Sequence, residues 1–471
     1  MPRPRAPRRR PTRPPAPTGW HAHRQKPNTS SAPSVPGRAD PQFCAADFDR
    51  PLHGVISNLT GQPAQANRNL TGTPGFVRVR PTMSIVDPQR TPLTHRERFR
   101  RQMHYQSIDR GVHWEFGYLQ ETIARWHQEG LPSEITAGEG PGSVEAYFGV
   151  DPSRRLPVMM GIHPNWEGET KILERKKDSA IVQRPDGTIL EEKTAGIKTI
   201  PHYIKFPIAN RNDWQRYKER LDPNHPDRKK VNWKALGEEL RHCDVPVGVW
   251  IGSFFGWPRD WIGFENIGLM VYDDRPLIEE IVGTLADLFC SQLEMALSEV
   301  AVDFAAGWED ICFRNGPLIS PAMFKEIVIP HVKRVCDLLR QHGCDVIWTD
   351  CDGDIRPLVP LWLDAGLNCM FPLEVHPGSD PVWLRKEYGK RILLRGGLEK
   401  YKLSKSRPEI LAELKRVEKV FAEGVYIPHG DHRIPEDVPY DNYKYYVREK
   451  LTMMGWKPQE IRAIWPLRNF K

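Results

Sequence analysis

From about residue 91 onward, short apolar runs alternate with longer stretches in which apolar residues recur every three or four positions. This alternation is typical of chains in which strands and helices follow each other, so that the strands form a parallel sheet covered by helices. Several of the short runs are apolar on both faces, as buried parallel strands are. The runs that predict strands are 112–116, 245–252, 302–308, 345–349, 367–372, 391–395 and 424–427.

The helical spacing is clearest in three longer stretches, which are 276–300, 321–343 and 408–424. For the second of these, Ser320 is a typical N-cap, Pro321 suits the first helical position and Gly343 suits the helix end. We therefore predict an α/β fold, a TIM (β/α)8 barrel, whose eighth strand lies within 130–246. The alternative is an open doubly wound sheet, but no G-x-G-x-x-G or phosphate-loop pattern follows any of the strands.

One segment, at about 130–245, departs from the alternation. Within it, two apolar runs at 180–184 and 188–192 flank Asp186 and Gly187. This dipeptide is a hairpin signal because the tight turn needs residues that tolerate positive φ. We expect an antiparallel β insertion here, within a barrel domain that spans 91–460.

The first 85 residues differ in composition from the rest. Residues 1–40 contain ten prolines, nine of the 67 basic residues and one of the 60 acidic residues, so the remaining 58 basic and 59 acidic residues nearly balance. Because it lacks a periodic apolar pattern, this Pro/Arg-rich tail (1–85) is predicted to be disordered. Its Arg8–Arg10 run suggests nucleic-acid contact or targeting. We favour a solvated extension, or sequence upstream of a true start at Met83, and expect no nucleic-acid partner.

Apolar runs and cysteines limit the class of protein. No stretch approaches the 18 or more apolar residues of a membrane span, and no apolar core follows the N-terminal charges, so we expect neither a membrane partner nor a secretory signal. The eight cysteines contain no C-x-x-C pair, which disfavours a disulfide scaffold and a zinc ribbon. A cytoplasmic location is predicted.

Polar residues follow most of the strand candidates, where the active site of such a barrel lies. These residues are Glu115, Ser253, Glu309, Asp310, Asp350, Asp352, Asp354, Glu374, Arg395, Asp431 and His432. Because the carboxyl ends of parallel strands share one edge, we expect the side chains to line one site. Glu309 is a predicted catalytic residue, and Glu115, Asp310, Glu374 and Arg395 are predicted to bind substrate.

The densest signal is the run Trp348–Asp354. Asp350 and Asp352 lie two residues apart, so on an extended backbone both carboxylates point to one face, where they share a metal, hold a proton between them or accept substrate N–H groups. Two adjacent carboxyls raise at least one pKa, which suits general acid–base catalysis. An EF-hand calcium loop is excluded because Leu361 stands where the closing Glu would be.

His432 lies in a turn after the last strand candidate, where a neutral imidazole suits metal binding or general acid catalysis. Together with Asp350 and Asp352 it forms the candidate catalytic and metal-binding set. Near the same strand ends, Trp114 and Trp308 are predicted to line a pocket for a flat hydrophobic ligand, with packing of the barrel core as the alternative.

For several of these residues a structural role is the alternative. These alternatives are solvated loop acids at Asp350 and Asp352, a structural role for His432, an N-cap at Asp354, a salt bridge from Glu309 or Asp310 to Arg314, and an ion pair between Arg395 and Glu374.

Several motifs together resemble the uroporphyrinogen decarboxylase superfamily, which includes the cobalamin-dependent methyltransferases that methylate coenzyme M. The motifs are Gly316–Pro321, Asp352–Asp354, Phe371–Glu374, Gly396–Gly397 and Tyr426–Pro435. The resemblance covers about 96–451 and implies a TIM barrel. It is much less specific for a reaction.

In the decarboxylase branch, the resemblance implies that an Asp holds the pyrrole N–H groups of a tetrapyrrole, without a cofactor, and that His432 matches a late His. This chain has His113–Gly117 in place of that branch's early Arg-Gln-Ala-Gly-Arg segment. Its acidic rim would repel uroporphyrinogen, which carries many carboxylates.

In the methyltransferase branch, the resemblance implies zinc held by a His-x-Cys pair and a later Cys. Here those positions are Asp350, Asp352 and His432, and Cys351 is offset by one residue. Oxygen ligands are harder than thiolates, which weakens the expectation of zinc-thiolate activation but leaves a divalent metal, zinc or another, as the predicted ion.

The sequence thus predicts a corrinoid-linked methyltransferase with a small-molecule substrate and a corrinoid, or a corrinoid protein, as cofactor or partner. The alternative is a cofactor-free tetrapyrrole decarboxylase of porphyrin biosynthesis. A second alternative, of another class, is a non-catalytic protein that binds a corrinoid or tetrapyrrole.

Overall fold

The structure is a computed structural model that describes residues 84–138, 140–162, 170–194, 201–468 and 470. Of the tail that was predicted to be disordered, residues 1–83 lie outside the described residues. Ile85 is buried, its N–H donates to the carbonyl of Ala422 over 2.9 Å, and its carbonyl accepts the N–H of Ile108 over 3.0 Å. The described chain is therefore packed from Ile85 onward.

The strands fall into three sheets. They are β1 (Arg154–Arg155), β2 (Lys171–Arg175), β3 (Ser179–Gln183), β4 (Ile189–Lys193), β5 (His202–Lys205), β6 (Val247–Trp250), β7 (Phe304–Trp308), β8 (Cys312–Phe313), β9 (Gly316–Pro317), β10 (Ile347–Asp350), β11 (Cys369–Phe371), β12 (Leu393–Leu398) and β13 (Tyr426–Gly430). The largest sheet has seven strands, all parallel, in the order β1-β6-β7-β10-β11-β12-β13. This order follows the chain, as in a TIM barrel, and the sheet curls as a TIM-like half-barrel.

Six of the seven predicted runs overlap a strand of this sheet, and β1 lies within 130–246, where a further strand was expected. The run 112–116 is different, because it forms no strand. Single backbone bonds tie it and the residue after it to other segments, from Asp151 N–H to the His113 carbonyl at 2.8 Å and from Ile434 N–H to the Gly117 carbonyl at 3.0 Å. The segment therefore lies between the first and last parts of the fold without a hydrogen-bonded ladder.

Helices separate the strands. They are α1 (His95–Gln102), α2 (Gln120–Gln128), α3 (Val144–Tyr147), α4 (Arg211–Lys218), α5 (Trp233–Leu240), α6 (Gly256–Ile262), α7 (Phe264–Asp273), α8 (Arg275–Leu297), α9 (Pro321–Ile327), α10 (Ile329–Gln341), α11 (Val359–Ala365), α12 (Pro381–Tyr388), α13 (Arg407–Glu423), α14 (Tyr440–Met453) and α15 (Pro458–Ala463). Among the described residues, none of the helices combines the length and apolar character needed to cross a membrane.

The predicted helix over 321–343 is two helices, α9 and α10. Its start is as expected, because the Ser320 hydroxyl accepts the Met323 N–H at 3.2 Å. The break lies at Val328, just before Pro330 in the first turn of α10. Proline has no N–H to donate and its ring clashes with the preceding turn, so one helix ends and another begins.

The predicted insertion is an antiparallel sheet in the order β2-β3-β4-β5. Its central hairpin turns at Asp186 and Gly187, as the sequence predicts. Gly187 has φ of 92°, and the Asp186 carboxylate accepts the Thr188 N–H at 2.8 Å. Glycine adopts this left-handed conformation without the steric penalty that a Cβ atom would bring.

Aromatic rings pack against one another in the interior of the parallel sheet. Trp114 lies 5.6 Å from Phe304 and 6.2 Å from Trp348, and Trp348 lies 6.3 Å from Phe371, measured between ring centroids. All four side chains are nearly or fully buried. Close packing of this kind makes the interior sensitive to added volume.

The substitution Gly248→Ala is expected to lower the free energy of unfolding by about 1–3 kcal/mol, because it overpacks this interior. A Cβ atom at Gly248 would lie 2.1 Å from the ring of Phe304. The matched control is Gly268→Ala on α7, where a Cβ meets open space and a gain of about 0.5–1 kcal/mol is expected. Urea unfolding of the full chain measures both, and equal stabilities would contradict the packing argument.

Candidate active site

Loops after the parallel strands bring the predicted acidic residues and His432 to one edge of the sheet. The N–H groups of Glu309 and Asp310, just after β7, donate to the Asp350 carbonyl at 2.8 and 3.3 Å. The N–H of Asp431, just after β13, donates to the Leu398 carbonyl at 2.8 Å. The strand register thus fixes the loops against one another, as expected for the carboxyl edge of such a sheet.

At this edge, Asp352, His432 and Asp310 are in direct contact. The Asp352 Oδ2 atom lies 3.3 Å from His432 Nε2, and the Asp352 N–H donates to Asp310 Oδ1 at 3.1 Å. The side chains of Asp352 and His432 are each about 30% exposed, at 30% and 31%. A carboxylate and an imidazole in contact at an accessible edge can orient and exchange a proton with a bound molecule.

Asp310 has an unusual backbone conformation, with φ of 50°, in a region that costs a non-glycine residue about 1–3 kcal/mol. Arg259, on α6, donates to its carbonyl. Burial, together with the charge of Asp352, raises the pKa of Asp310 to about 6, although Arg259 and His432 act in the opposite direction. The carboxyl of Asp310 can therefore gain or lose a proton near neutral pH.

Asp350, the last residue of β10, is buried and only 4% exposed. It is paired in register with Trp308 at the end of β7. Trp308 is half-buried, and the Arg259 guanidinium lies 5.0 Å above its ring. Asp350 therefore lies below the rim of the sheet, and Trp308 lies beside Asp350 on the neighbouring strand.

Glu309 was predicted as a catalytic residue. It follows β7 in the chain, and its carboxylate lies at the start of α6. Its carboxylate accepts the N–H groups of Phe254 and Phe255 at 2.8 Å and of Gly256 at 3.0 Å. Burial raises the pKa of Glu309 to about 7, against the effect of these donors. At the same helix start, the hydroxyl of Ser253 accepts the N–H of Trp257, four residues later in the chain, at 3.1 Å. These bonds describe a helix cap, and a catalytic role for Glu309 stays a prediction.

Two carboxylates hold neighbouring loops together around Lys400. Glu374 binds Lys400 Nζ at 2.7 Å and accepts the Gly353 N–H at 3.0 Å. Asp431 accepts the N–H groups of Lys400 at 2.9 Å and Val375 at 3.1 Å, and burial raises its pKa to about 6. Burial acts to lower the pKa of Lys400, but Asp431 and Glu374 raise it overall. Glu374 therefore pairs with Lys400 in this structure, instead of with Arg395.

The substitution Glu374→Gln is expected to lower the free energy of unfolding by about 1.5–3 kcal/mol, because it removes a charge-assisted contact at Lys400 and disturbs the bond to Gly353. Denaturant unfolding of the full chain measures the change. Glu418→Gln, on the exposed face of α13, is the matched control and is expected to stay within about 0.5 kcal/mol of the parent. If the two variants were equally stable, the loops would not depend on Glu374.

Arg395 lies deep in the sheet interior, at 1% exposure. Its guanidinium lies 4.3 Å from the Trp348 ring, 4.6 Å from the Phe371 ring and 5.0 Å from the Trp114 ring. Its Nε donates to His429 Nε2 at 3.3 Å, and burial keeps the pKa of His429 well below its usual value. Arg395 therefore packs as a cation within an aromatic cage, and substrate binding by it stays a prediction.

Glu115 is also in the interior, and its side chain is fully buried against Lys450 of α14, which is likewise fully buried. The Tyr446 hydroxyl donates to the same carboxylate at 3.2 Å. Burial lowers the pKa of Lys450, although Glu115 acts to raise it. Trp114, next in sequence, donates its indole N–H to the Asp151 carbonyl at 3.0 Å. Both predicted substrate-binding residues thus have internal partners.

The predicted metal ligands do not assemble into a metal site in this structure. Within the described ranges, no group of three or more His, Cys, Asp or Glu side chains could hold a metal ion. Cys351 is buried, and burial together with Cys312 raises the pKa of its thiol well above the usual value, so it is a poor source of a thiolate. Metal binding by Asp350, Asp352 and His432 stays a prediction.

Two structural alternatives can now be compared with the contacts. Asp354 accepts from Arg356 Nε and Nη2 at 2.7 and 2.8 Å and from its backbone N–H at 3.2 Å, so it closes a local turn ahead of α11. Among the described contacts, neither Glu309 nor Asp310 forms a salt bridge with Arg314, which was the structural alternative for both.

Three residues near the site were not predicted to belong to it, namely Arg259, Lys400 and Phe116. The Phe116 ring packs edge-on against His432, with 5.0 Å between centroids. Lys400 follows the end of β12 by two residues, so placing the strand end at Leu398 instead of 395 would have found it. Arg259 lies inside α6, and no local pattern distinguishes it from a surface arginine.

Comparison with known proteins gives one family. The sequence profile described as "Uroporphyrinogen decarboxylase (URO-D)" matches residues 193–450. A comparison with curated proteins gives no significant match.

Two solved structures are similar to this chain at low identity. A methyltransferase from Methanosarcina mazei shares 13% identity, covers 76% of this chain and 98% of its own, and has a TM-score of 0.47. A B12-independent methionine synthase from Shewanella sp. W3-18-1, in complex with selenomethionine, shares 12% identity, covers 50% of this chain and 67% of its own, and has a TM-score of 0.31. At these values, neither likeness says anything about the reaction of this chain.

Proposed function

The chain belongs to the uroporphyrinogen decarboxylase (URO-D) family, and we propose that it is a methyltransferase in which His432 and Asp352 remove the proton of the methyl acceptor. The observation that carries this proposal is the 3.3 Å contact between Asp352 Oδ2 and His432 Nε2 at an accessible edge of the sheet. The substrate is a small molecule. The predicted cytoplasmic location is kept as part of the proposal.

Asp352 acts on His432 by fixing its orientation. Because Nε2 is the ring nitrogen that lies 3.3 Å from the carboxylate, the other ring nitrogen, Nδ1, is the atom left to take a proton from a bound molecule. The edge of the Phe116 ring limits rotation of the imidazole from one side. An acceptor that loses its proton to Nδ1 becomes a better nucleophile toward a methyl carbon, as in other nucleophiles activated by an oriented base.

A corrinoid is the methyl carrier that we propose, and when bound it supplies a cobalt centre that exchanges a methyl group. The residues that suit such a broad, flat ligand are Phe264 and Phe313, whose rings pack edge-to-face at 5.0 Å and are 46% and 43% exposed. The Phe313 carbonyl accepts the Asp354 N–H at 2.9 Å, so this ring pair lies beside the loop that carries Asp352.

The alternative is decarboxylation of a tetrapyrrole, which needs cations for the substrate carboxylates. At this edge, Arg259 binds the Asp260 carboxylate at 3.0 Å and Lys400 binds Glu374 at 2.7 Å, so both cations are already neutralised. Asp310 and Asp352 add negative charge beside them. Repulsion between like charges disfavours a substrate with many carboxylates.

The test uses the purified full chain. Methylcobalamin is supplied with separate thiol, amine and phenol acceptors, and methyl transfer is followed by the visible spectrum of the corrinoid and by mass analysis of the acceptor. A parallel reaction supplies uroporphyrinogen and measures released carbon dioxide. Metal analysis of the same preparation addresses the predicted divalent metal.

Each result has one meaning for the proposal. Methyl transfer to any acceptor, lost in His432→Gln, supports it. Carbon dioxide release without methyl transfer would replace it with the decarboxylase, and corrinoid or porphyrinogen binding that survives Asp352→Asn without turnover would replace it with the non-catalytic binder.

A further inference from the structure

Two cysteine side chains meet beside the candidate site. Cys312 lies in β8, and Cys351 directly follows the last residue of β10. Both are free thiols, 4% and 1% exposed, and their sulfur atoms are in hydrogen-bond contact with each other. The N–H of Ile311 also donates to the Cys351 sulfur. The proposed methyl transfer uses neither thiol, so this pair is open to another role.

The backbones that carry the two thiols run side by side. Beyond the pair, the Asp354 N–H donates to the Phe313 carbonyl at 2.9 Å. Gly353 has φ of 81°, and a Cβ atom there would lie 2.8 Å from the carbonyl group of Cys312, so the close approach of the segments requires glycine. A disulfide needs two cysteines whose backbones are close neighbours. Backbone bonds on both sides of the pair supply that arrangement.

From these contacts we propose that Cys312 and Cys351 form a reversible disulfide, which joins the hairpin of β8 and β9 to the loop that carries Asp352. Cys312 follows Asp310 by two residues, so the bond would link the two segments that bring these acidic side chains to the edge of the sheet. This modification site goes beyond the proposed function. It does not depend on whether the chain transfers methyl groups.

The small hairpin of β8 and β9 gives an oxidant access to Cys312. Each of its strands has two residues, and Phe313, the neighbour of Cys312, is 43% exposed. Short units at the surface open locally at a much lower free-energy cost than the core does. Cys312 is therefore the sulfur that meets the oxidant first.

The oxidant is a small disulfide such as oxidised glutathione, and the exchange has two steps. The Cys312 sulfur loses its proton and attacks one sulfur of the oxidant, whose S–S bond breaks so that its other half leaves as a thiolate. Cys351 then loses its proton and attacks the Cys312 sulfur, which releases the second half. Two protein S–H bonds become one S–S bond, and the two protons end on the two released thiols. Although Cys351 is a poor source of a thiolate, its target is already in contact with it, which favours the second step.

The test incubates the folded full chain with oxidised glutathione, blocks the remaining thiols and maps the linked peptides by mass spectrometry without reduction. We expect a cross-link between Cys312 and Cys351 that forms within minutes to hours and disappears in excess dithiothreitol. Cys351→Ser should instead leave Cys312 joined to glutathione. Cys290→Ser, which replaces a half-buried thiol on α8, is the matched control and should keep the cross-link.

Hydrogen exchange then tests what the bond does to the loops. In the oxidised chain, peptides that cover 311–318 and 351–356 should exchange at least about tenfold more slowly than in the reduced chain, because the cross-link prevents the hairpin from opening. Lack of the cross-link in the folded chain, or pairing of these cysteines with other cysteines instead, would overturn the inference. Unchanged exchange in the cross-linked chain would also overturn it, since the bond would then not fix the loop to the hairpin.

Discussion

Replacement of His432 with Gln is expected to lower kcat for methyl transfer by about 10²- to 10⁴-fold, the usual contribution of a positioned general base. The glutamine side chain can still donate a hydrogen bond to Asp352, but it cannot take a proton from the acceptor. Because His432 is 31% exposed, its replacement leaves no buried cavity and the fold should be retained. The measurement is single-turnover methyl transfer, with thermal unfolding as the check on folding.

Two further variants sharpen this prediction. Asp352→Asn removes the carboxylate that orients the imidazole, so it should also lower kcat, and the double variant should be little worse than either single variant because the two residues act as a unit. Asp354→Asn, in the same loop, is the control and should keep parental kcat. If His432→Gln retained full activity, the proton would have to leave through another group.

The sheet was largely predictable because buried parallel strands leave a clear signal. Six apolar runs overlap strands, since residues buried on both faces must be apolar. The first part of the fold was predicted less well. β1 has only two residues, both exposed arginines, so no apolar run marks it. The run 112–116 has the apolar signal but uses His113 and Glu115 for internal bonds instead of a ladder. An apolar pattern alone cannot tell a strand from a segment whose position is fixed by distant side chains.

The candidate site was predictable where the position of a residue depends on the end of a strand. It was not predictable where the position depends on which charged or polar groups bind each other. The position of Asp352 and His432 after two parallel strands was enough to predict that they meet. Lys400 forms an ion pair with Glu374, and backbone N–H groups donate to the Glu309 carboxylate. Both contacts depend on how the loops turn. A charged residue gives no indication in the sequence of which partner will neutralise it.

The buried ion pair between Glu115 and Lys450 should produce the largest change in stability. Lys450→Met is expected to lower the free energy of unfolding by about 3–5 kcal/mol, because it leaves the fully buried carboxylate of Glu115 without its counter-charge. Lys419→Met, on the exposed face of α13, is the matched control and is expected to change stability by less than about 0.5 kcal/mol. Urea unfolding of the full chain at neutral pH measures both.

The origin of this loss can be separated from a simple loss of packing. The double variant Glu115→Leu with Lys450→Met removes both charges and should return close to parental stability, because two apolar side chains can replace a buried pair. The Tyr446 hydroxyl, which donates to Glu115 at 3.2 Å, then loses its acceptor and limits the recovery. A double variant as unstable as Lys450→Met would mean that the methylene chain of Lys450, and not its charge, holds α14 in place.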